Sequence, residues 1–444
     1  MRKKIERILV FGDSLSDRGT MAKSALNAFS GLPGHSPHGR FTNGYVWLDY
    51  FIYQLKGQNL SEPVAIQATP LIKKSLFSIN NNEYVGAREV PVFARTYCKG
   101  GLTAHDYSEK FRAGELILNI EAELLATLAS MRKEAARDDE YIQLSEADKQ
   151  NTLVIEWSGA NDLITINHNP TLEAATLAVN ARIEHLNNLV QQGYLCFVLF
   201  NLPDLSLTPR YQSADSHLRQ QTQDSVMHFN HDLQQAITAW RTIHPECTIH
   251  LFDANQLFVD AYQHPEKFKL DETKKHEPFL DSRAFKDNDP HTTAAGYMFW
   301  DEVHPTEALH VQLAHAFYQD IFCQHYEFNW IAQPLITQFR EAYGMKWEDD
   351  SHGTCGGMKR SRIDYLSSDL KLQDILHHGL FNQGHRTFKV MRELGWVHGN
   401  KQCASEHPSV AEAWSALRPE TTVVESPSNI ESGDVVVGLE LNSI

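Results

Sequence analysis

The chain has 444 residues, 42% hydrophobic and 22% charged, an ordinary balance for a soluble globular protein, and its length suits one large domain with something smaller beside it. Its 40 basic and 56 acidic residues give a formal net charge of −16, which argues against nucleic acid as a general partner and leaves no polybasic patch for anionic lipid. No apolar run approaches the roughly 20 residues that span a bilayer, so no transmembrane segment is expected.

Arg2, Lys3 and Lys4 imitate the start of a secretory leader, but Glu6 and Arg7 follow at once. The apolar run from Ile8 to Phe11 is then far shorter than the roughly 7–15 residues a leader needs. With Met1 in place, the reading is a cytoplasmic protein, a mature form lacking its leader, or one exported without a secretory signal peptide.

Residues 7–11 read as a short buried strand, because apolar residues run without a break. Gly12 permits a sharp turn, and Asp13 and Ser14 suit a helix entry. The Ser14 hydroxyl is then expected at the carboxyl edge of a sheet, with its N–H at a helix N-terminus. Taken alone, such a serine is more often a plain helix cap. Residues 30–44 form a loop rich in Gly and Pro. Helices are expected at 45–56, 109–134, 171–192, 216–243 and 306–325, and strands at 92–97, 152–157, 194–200 and 248–252. The helix at 171–192 is the clearest, with Leu172, Ala175, Val179, Ile183, Leu186 and Val190 at helical spacing and Gly193 to end it. Such alternation predicts an α/β fold, a parallel sheet between helices in three layers. The polar segment 264–296, with Pro265, Pro278 and Pro290, reads equally as a lid or a surface excursion.

Near the end of this region stands Asp301-Glu302-Val303-His304-Pro305. The spacing of three puts a carboxylate within reach of an imidazole on one turn. With Ser14 this supplies the groups that acyl transfer through serine requires. A hydroxyl is a poor nucleophile until a neutral imidazole takes its proton, and a carboxylate must hold that imidazole in the right tautomer.

Four stretches together resemble the GDSL, or SGNH, esterases and lipases. Phe11-Gly12-Asp13-Ser14-Leu15-Ser16-Asp17 looks like the family's first block, and the resemblance implies Ser14 as nucleophile. Cys98-Lys99-Gly100-Gly101-Leu102-Thr103 looks like the second, implying an oxyanion donor at Gly101, or else Gly100. Gly159-Ala160-Asn161-Asp162 looks like the third, implying the Asn161 amide as another donor. Trp300 to Thr306 looks like the last, implying Asp301 and His304 as the rest of a triad. With the Ser14 N–H, three donors would face one oxygen, each worth roughly 2.7–4 kcal/mol in the transition state. Gly39-Arg40-Phe41-Thr42-Asn43-Gly44, Asn201-Leu202-Pro203-Asp204 and Phe299-Trp300-Asp301 are closer to the bacterial phospholipase and glycerophospholipid:cholesterol acyltransferase branch, which includes thermolabile hemolysins. Thr96, Cys98 and Leu102 depart from the commoner second block, which touches the pocket wall more than the glycine pair.

The resemblance implies hydrolysis of lipid acyl esters of lysophospholipase or phospholipase A type, with acyl transfer to an alcohol as a side activity. No cofactor or metal is called for. Carbohydrate or small-molecule esters are the rival substrates, and a non-catalytic interaction protein on the same fold is the rival class. An intact set of Ser14, Gly101, Asn161, Asp301 and His304 argues against the latter. There is no Gly-x-Ser-x-Gly elbow, Gly-x-Gly-x-x-Gly or P-loop pattern. Oligomeric state is left open.

The unit resembling the family is placed at 1–328, and 329–444 is a smaller, mainly helical C-terminal region of unknown role. Short helices are expected at 331–343, 366–378, 386–395 and 408–417, and an acidic tail follows residue 418. The aromatic and aliphatic residues at 366–396 need burial, which is expected on the larger unit. Of six cysteines, Cys98 and Cys196 read as buried thiols in strands, and whether Cys355 and Cys403 pair in an oxidising space is left open.

Overall fold

The apolar run before Gly12 becomes β2 (Arg7–Gly12), buried at every position. A computed structural model describes residues 2–23, 39–58, 82–83, 93–107, 126–165, 169–286, 294–328, 335–336, 338–340, 342–343, 371–381, 385–398, 402–405 and 408–417. Six strands form one sheet in the order β3 (Asn82–Glu83), β4 (Phe93–Cys98), β2, β5 (Thr152–Trp157), β6 (Cys196–Phe200) and β7 (Thr248–Phe252). All pairings are parallel except β3 on β4.

Successive side chains of a strand point to opposite faces, so a sheet buried on both sides feeds two cores. Ile8, Val10, Leu153, Ile155, Val198 and Phe200 join the core that holds Trp47 and Phe51 of the helix Trp47–Gln58 and Leu309 and Leu313 of the helix Glu307–Ala316. Leu9, Phe11, Val154, Phe197 and Leu199 join the other, under the helices Leu128–Ile142, Leu172–Gln191 and Ser216–Ile243. This is the expected three-layer arrangement. Among the parallel strands, β2 comes first and lies between β4 and β5. The chain therefore crosses to one side of β2 and then to the other, and such a reversal opens a crevice at the strands' carboxyl ends.

Several elements differ from expectation. The helix expected at 109–134 is seen at Leu128–Ile142, because Thr127 and Ser130 form a reciprocal capping box that starts it there; residues 109–125 lie outside the described residues. The helix expected through 306–325 runs from Glu307 to His325 but widens into a π-helical turn, Phe317–Phe322, between its α-helical parts Glu307–Ala316 and Cys323–His325. A short parallel pair was not expected: β1 (Lys3–Ile5) lies beside β8 (Tyr326–Phe328). In the segment 264–296 the described residues are neither a free excursion nor a detached cover. Phe279 and Leu280 donate backbone N–H groups to the carbonyls of Phe299 and Trp300, at 3.0 and 3.1 Å, and Phe279 stacks on Trp300.

Beyond Phe328, helices stand at Leu372–Phe381, His385–Glu393 and Pro408–Leu417. The described apolar residues here form a cluster of their own that includes Phe339, Leu376, Met391, Trp396 and Trp414, and Arg340 Nη1 donates to Gln143 Oε1 at the end of the helix Leu128–Ile142 at 3.0 Å. Cys98 and Cys196 are buried, as expected. Cys355 and the acidic tail after residue 418 lie outside the described residues.

Candidate active site

Gly12 pairs with Cys98 on one side and Trp157 on the other, so three strands reach the same level. A Cβ at Gly12 would sit 2.9 Å from the Trp157 carbonyl oxygen and 3.2 Å from Cys98 Sγ, so glycine lets the strands close up here. Ser14, Gly101 and Asn161 follow within a few residues of that level, on both sides of the crevice.

Ser14 does not open a helix. The expected helix entry is a tight turn in which Asp13 accepts the N–H of Leu15 through Oδ1 (3.0 Å) and that of Ser16 through its carbonyl (3.1 Å). Asp17 accepts the next N–H groups, from Gly19 (2.8 Å), Thr20 (2.6 Å) and Met21 (3.1 Å). Side-chain carboxylates thus take the donors that would otherwise build helical bonds. A helix dipole is therefore not the source of positive potential at Ser14. Its own N–H, with no partner among the described residues, is.

His304 Nε2 lies 2.7 Å from Ser14 Oγ, and His304 Nδ1 lies 2.7 Å from Asp301 Oδ2. Asp301 Oδ1 accepts the N–H groups of Val303 (2.8 Å) and His304 (2.6 Å), so one oxygen shapes the loop while the other holds the ring. Trp300 N–H donates to the His304 carbonyl at 2.7 Å, closing the loop from the other end. A neutral imidazole that donates Nδ1–H to Asp301 presents its Nε2 lone pair to the hydroxyl. Burial alone would push the His304 pKa down, but the charge and hydrogen bond of Asp301, helped by Asp13, outweigh it and leave the pKa above its usual 6.5. Burial raises Asp301 in turn, and the His304 contacts overcome this and hold it below the usual carboxylate range.

Asn161 enters on the helix Ala160–Ile164, which starts at Gly159 with φ of 118°. Its Nδ2 donates to the Leu102 carbonyl (3.1 Å), and its Oδ1 accepts the Thr165 hydroxyl (2.7 Å). The amide is therefore oriented, with one hydrogen left over, and Asn161 lines the cleft together with Ser14 and His304. Gly101 takes a left-handed φ of 80°, and its N–H has no partner among the described residues. Gly100 differs: its N–H donates to Asp17 Oδ2 at 2.8 Å.

Charged residues unforeseen from the sequence fix these loops. Asp162, pushed up to about 7 by burial, accepts the N–H groups of Ala104 (2.8 Å) and His105 (2.9 Å), tying the Gly101 loop to the Asn161 helix. Buried Arg182 pairs with Glu156 and donates to the carbonyls of Glu156 (3.1 Å), Ser158 (3.2 Å) and Phe200 (3.0 Å), stapling the ends of β5 and β6. A glutamate inside the run Leu153-Val154-Ile155-Glu156-Trp157 was the available signal. The cleft wall adds apolar Leu15, Ile164, Leu205 and Phe258 to polar Asp13, Asp204 and Arg210. No group of three metal-binding side chains occurs among the described residues, and no described helix is long and apolar enough to cross a membrane.

The family model for GDSL-like lipases/acylhydrolases matches residues 8–317. The chain is 26% identical over 357 residues to phosphatidylcholine-sterol acyltransferase of Aeromonas hydrophila, covering 70% of this chain and 89% of that protein. It is 25% identical to a GDSL esterase/lipase of Arabidopsis thaliana (69% and 82% covered). It is 24% identical to thermolabile hemolysin of Vibrio parahaemolyticus, of which it covers 62%.

Proposed function

The chain belongs to the GDSL-like lipase/acylhydrolase family, and we propose that it is a serine esterase that hydrolyses lipid acyl esters through Ser14, His304 and Asp301. The observation that carries this reading is the unbroken hydrogen-bond chain from Ser14 Oγ through His304 to Asp301, set at the reversal point of the sheet. In the first step Ser14 Oγ attacks the ester carbonyl while His304 Nε2 takes the hydroxyl proton. The charge that moves onto the carbonyl oxygen meets the N–H groups of Ser14 and Gly101 and the free Asn161 amide hydrogen. Collapse expels the alcohol, which takes the proton back from His304, and leaves an acyl group on Ser14. His304 then deprotonates water, which attacks the acyl-enzyme and frees the acid.

The apolar wall of the cleft favours an acyl chain over a sugar. The Aeromonas relative, a phosphatidylcholine-sterol acyltransferase, points the same way, toward acyl groups of phosphatidylcholine. Single-chain lysophospholipids are the proposed substrates, since one chain needs only a cleft of moderate size. Transfer to an alcohol uses the same groups, because His304 can deprotonate either acceptor, and the partition follows how well water is excluded. Residues 1–328 are proposed to carry all of this chemistry, with 329–444 a separate unit.

Two measurements test the reading. Ser14→Ala should abolish ester turnover, and a fluorophosphonate should label Ser14. Labelling of another serine, or an active Ser14→Ala protein, would remove the nucleophile assignment. Mass spectrometry of products from a lysophospholipid, phospholipid and sterol panel then fixes substrate and acceptor. Deacetylation of sugars without fatty-acid release would overturn the lipid reading and leave the triad standing.

A further inference from the structure

The hydrogen bonds to Asp301 and Ser14 hold His304 by its two ring nitrogens and leave the face of the imidazole to be supported by its neighbours. We infer that residues 40–44 form a clamp that supports this face, with Phe41 as the positioning residue laid against the imidazole. The inference rests on the reading of His304 as general base.

Phe41 and His304 have ring centroids 5.0 Å apart and planes inclined by 31°. The residues on either side of Phe41 are fixed to the body of the protein. Arg40 donates to both carboxylate oxygens of Asp49, Nη2 to Oδ1 at 2.7 Å and Nε to Oδ2 at 3.1 Å. Asp49 is also held by Arg18 Nε at 2.7 Å. All three side chains are buried. Burial raises the Asp49 pKa, but Arg40 and Arg18 more than reverse this and bring it to about 2, so the ion cluster persists across the working pH range. On the other side, Thr42 Oγ1 donates to the carbonyl of Pro305, the residue after His304, at 2.9 Å. Asn43 Oδ1 accepts the N–H of Glu307 at 2.8 Å. Gly44 lies so close to the Glu307 carboxylate that a Cβ would fall 2.1 Å from its carbon. The segment thus bridges the buried Asp49 and the start of the helix Glu307–Ala316, and Phe41 is carried between these anchors.

Gly100 makes room for it. A Cβ at Gly100 would lie 2.4 Å from Phe41 Cε2 and Cζ. With its N–H given to Asp17, Gly100 matters here for the side chain it lacks. Phe41 lies against the His304 ring, so its proposed action runs through the imidazole. An aromatic face within about 6 Å also favours the imidazolium that forms in each half-reaction.

The test uses the full chain, a soluble p-nitrophenyl ester, and Ser14→Ala as the control for the triad. Phe41→Ala should lower kcat by about 10- to 100-fold, the scale of a slightly misplaced catalytic group, with KM nearly unchanged. Phe41→Tyr should restore most of it. Gly100→Ala should mimic Phe41→Ala, because its methyl displaces the ring, and should cost little more in a Phe41→Ala background. If Phe41→Ala is insoluble, Phe41→Leu carries the same kcat test. A normal kcat in the Phe41 variants, a change confined to KM, or a Gly100→Ala effect that persists undiminished without Phe41 would overturn the clamp. An active Ser14→Ala protein would instead overturn the reading on which it stands.

Discussion

Replacing Asn161 by Ala separates the oxyanion donor from the scaffold around it. The amide has two hydrogens and one oxygen. One hydrogen goes to the Leu102 carbonyl and the oxygen accepts from Thr165, so one hydrogen remains for substrate. Loss of that donor should raise the barrier by about 2.7–4 kcal/mol, a fall in kcat of roughly 10²- to 10³-fold, while KM changes little. Stability should suffer less. The Thr165 residue is exposed, so its hydroxyl can turn to water, and only the Leu102 carbonyl loses a partner, a cost of about 1–3 kcal/mol. Kinetics taken below the thermal transition of each protein keep the two effects apart. Asn161→Asp is the second arm. It can still accept from Thr165 but sets a negative charge against the developing oxyanion, so it should be no more active than Asn161→Ala. A kcat within about threefold of the parent in Asn161→Ala would place this side chain outside the oxyanion hole.

Three further outcomes are expected. On the proposed mechanism His304 acts as a neutral base, and its pKa is raised above 6.5, so kcat/KM should fall as pH drops through a midpoint above 6.5; a pH–rate profile with an acid limb centred below 6.5 would contradict this. By the same shift, the stabilisation from the His304–Asp301 pair is fully present below 6.5 and is lost as pH rises through the folded-state pKa. A chain cut after Phe328 retains the β1–β8 pair and both cores of the sheet, so it should be soluble and keep kcat on a soluble ester; aggregation on gel filtration would show that residues 329–444 cover it.

The sequence carried the sheet and the site best where local pattern and tertiary demand agree. β2, β5 and β6 are largely apolar runs because both their faces are buried, and the two helices at 172–191 and 216–243 carry one clear stripe each. Ser14, Gly101 and Asn161 were legible because each follows a strand within a few residues, and Asp301 and His304 because of their spacing of three. What escaped was set by contacts between distant residues. β1 is mostly charged, and only its pairing with β8 makes it a strand. The turn after Gly12 depends on Asp13 and Asp17 capturing backbone donors, which helix-entry preference alone does not foresee. Phe41 reads as one aromatic in a polar loop until Asp49 and Glu307 fix where it lies.

The pairing of Lys3 with Tyr326 bears on how the protein is made as much as on how it stands. The central strand β2 is made before the rest of its sheet, whereas the loop bearing Asp301 and His304 and the strand that pairs with β1 come last within the α/β unit. Parallel pairing between such remote segments bears a large loop-closure cost and forms late. A nascent chain therefore carries Ser14 long before Asp301 and His304 are made. On the proposed mechanism the ester-cleaving centre is complete only once the unit is whole, so incomplete products of translation should not cleave esters.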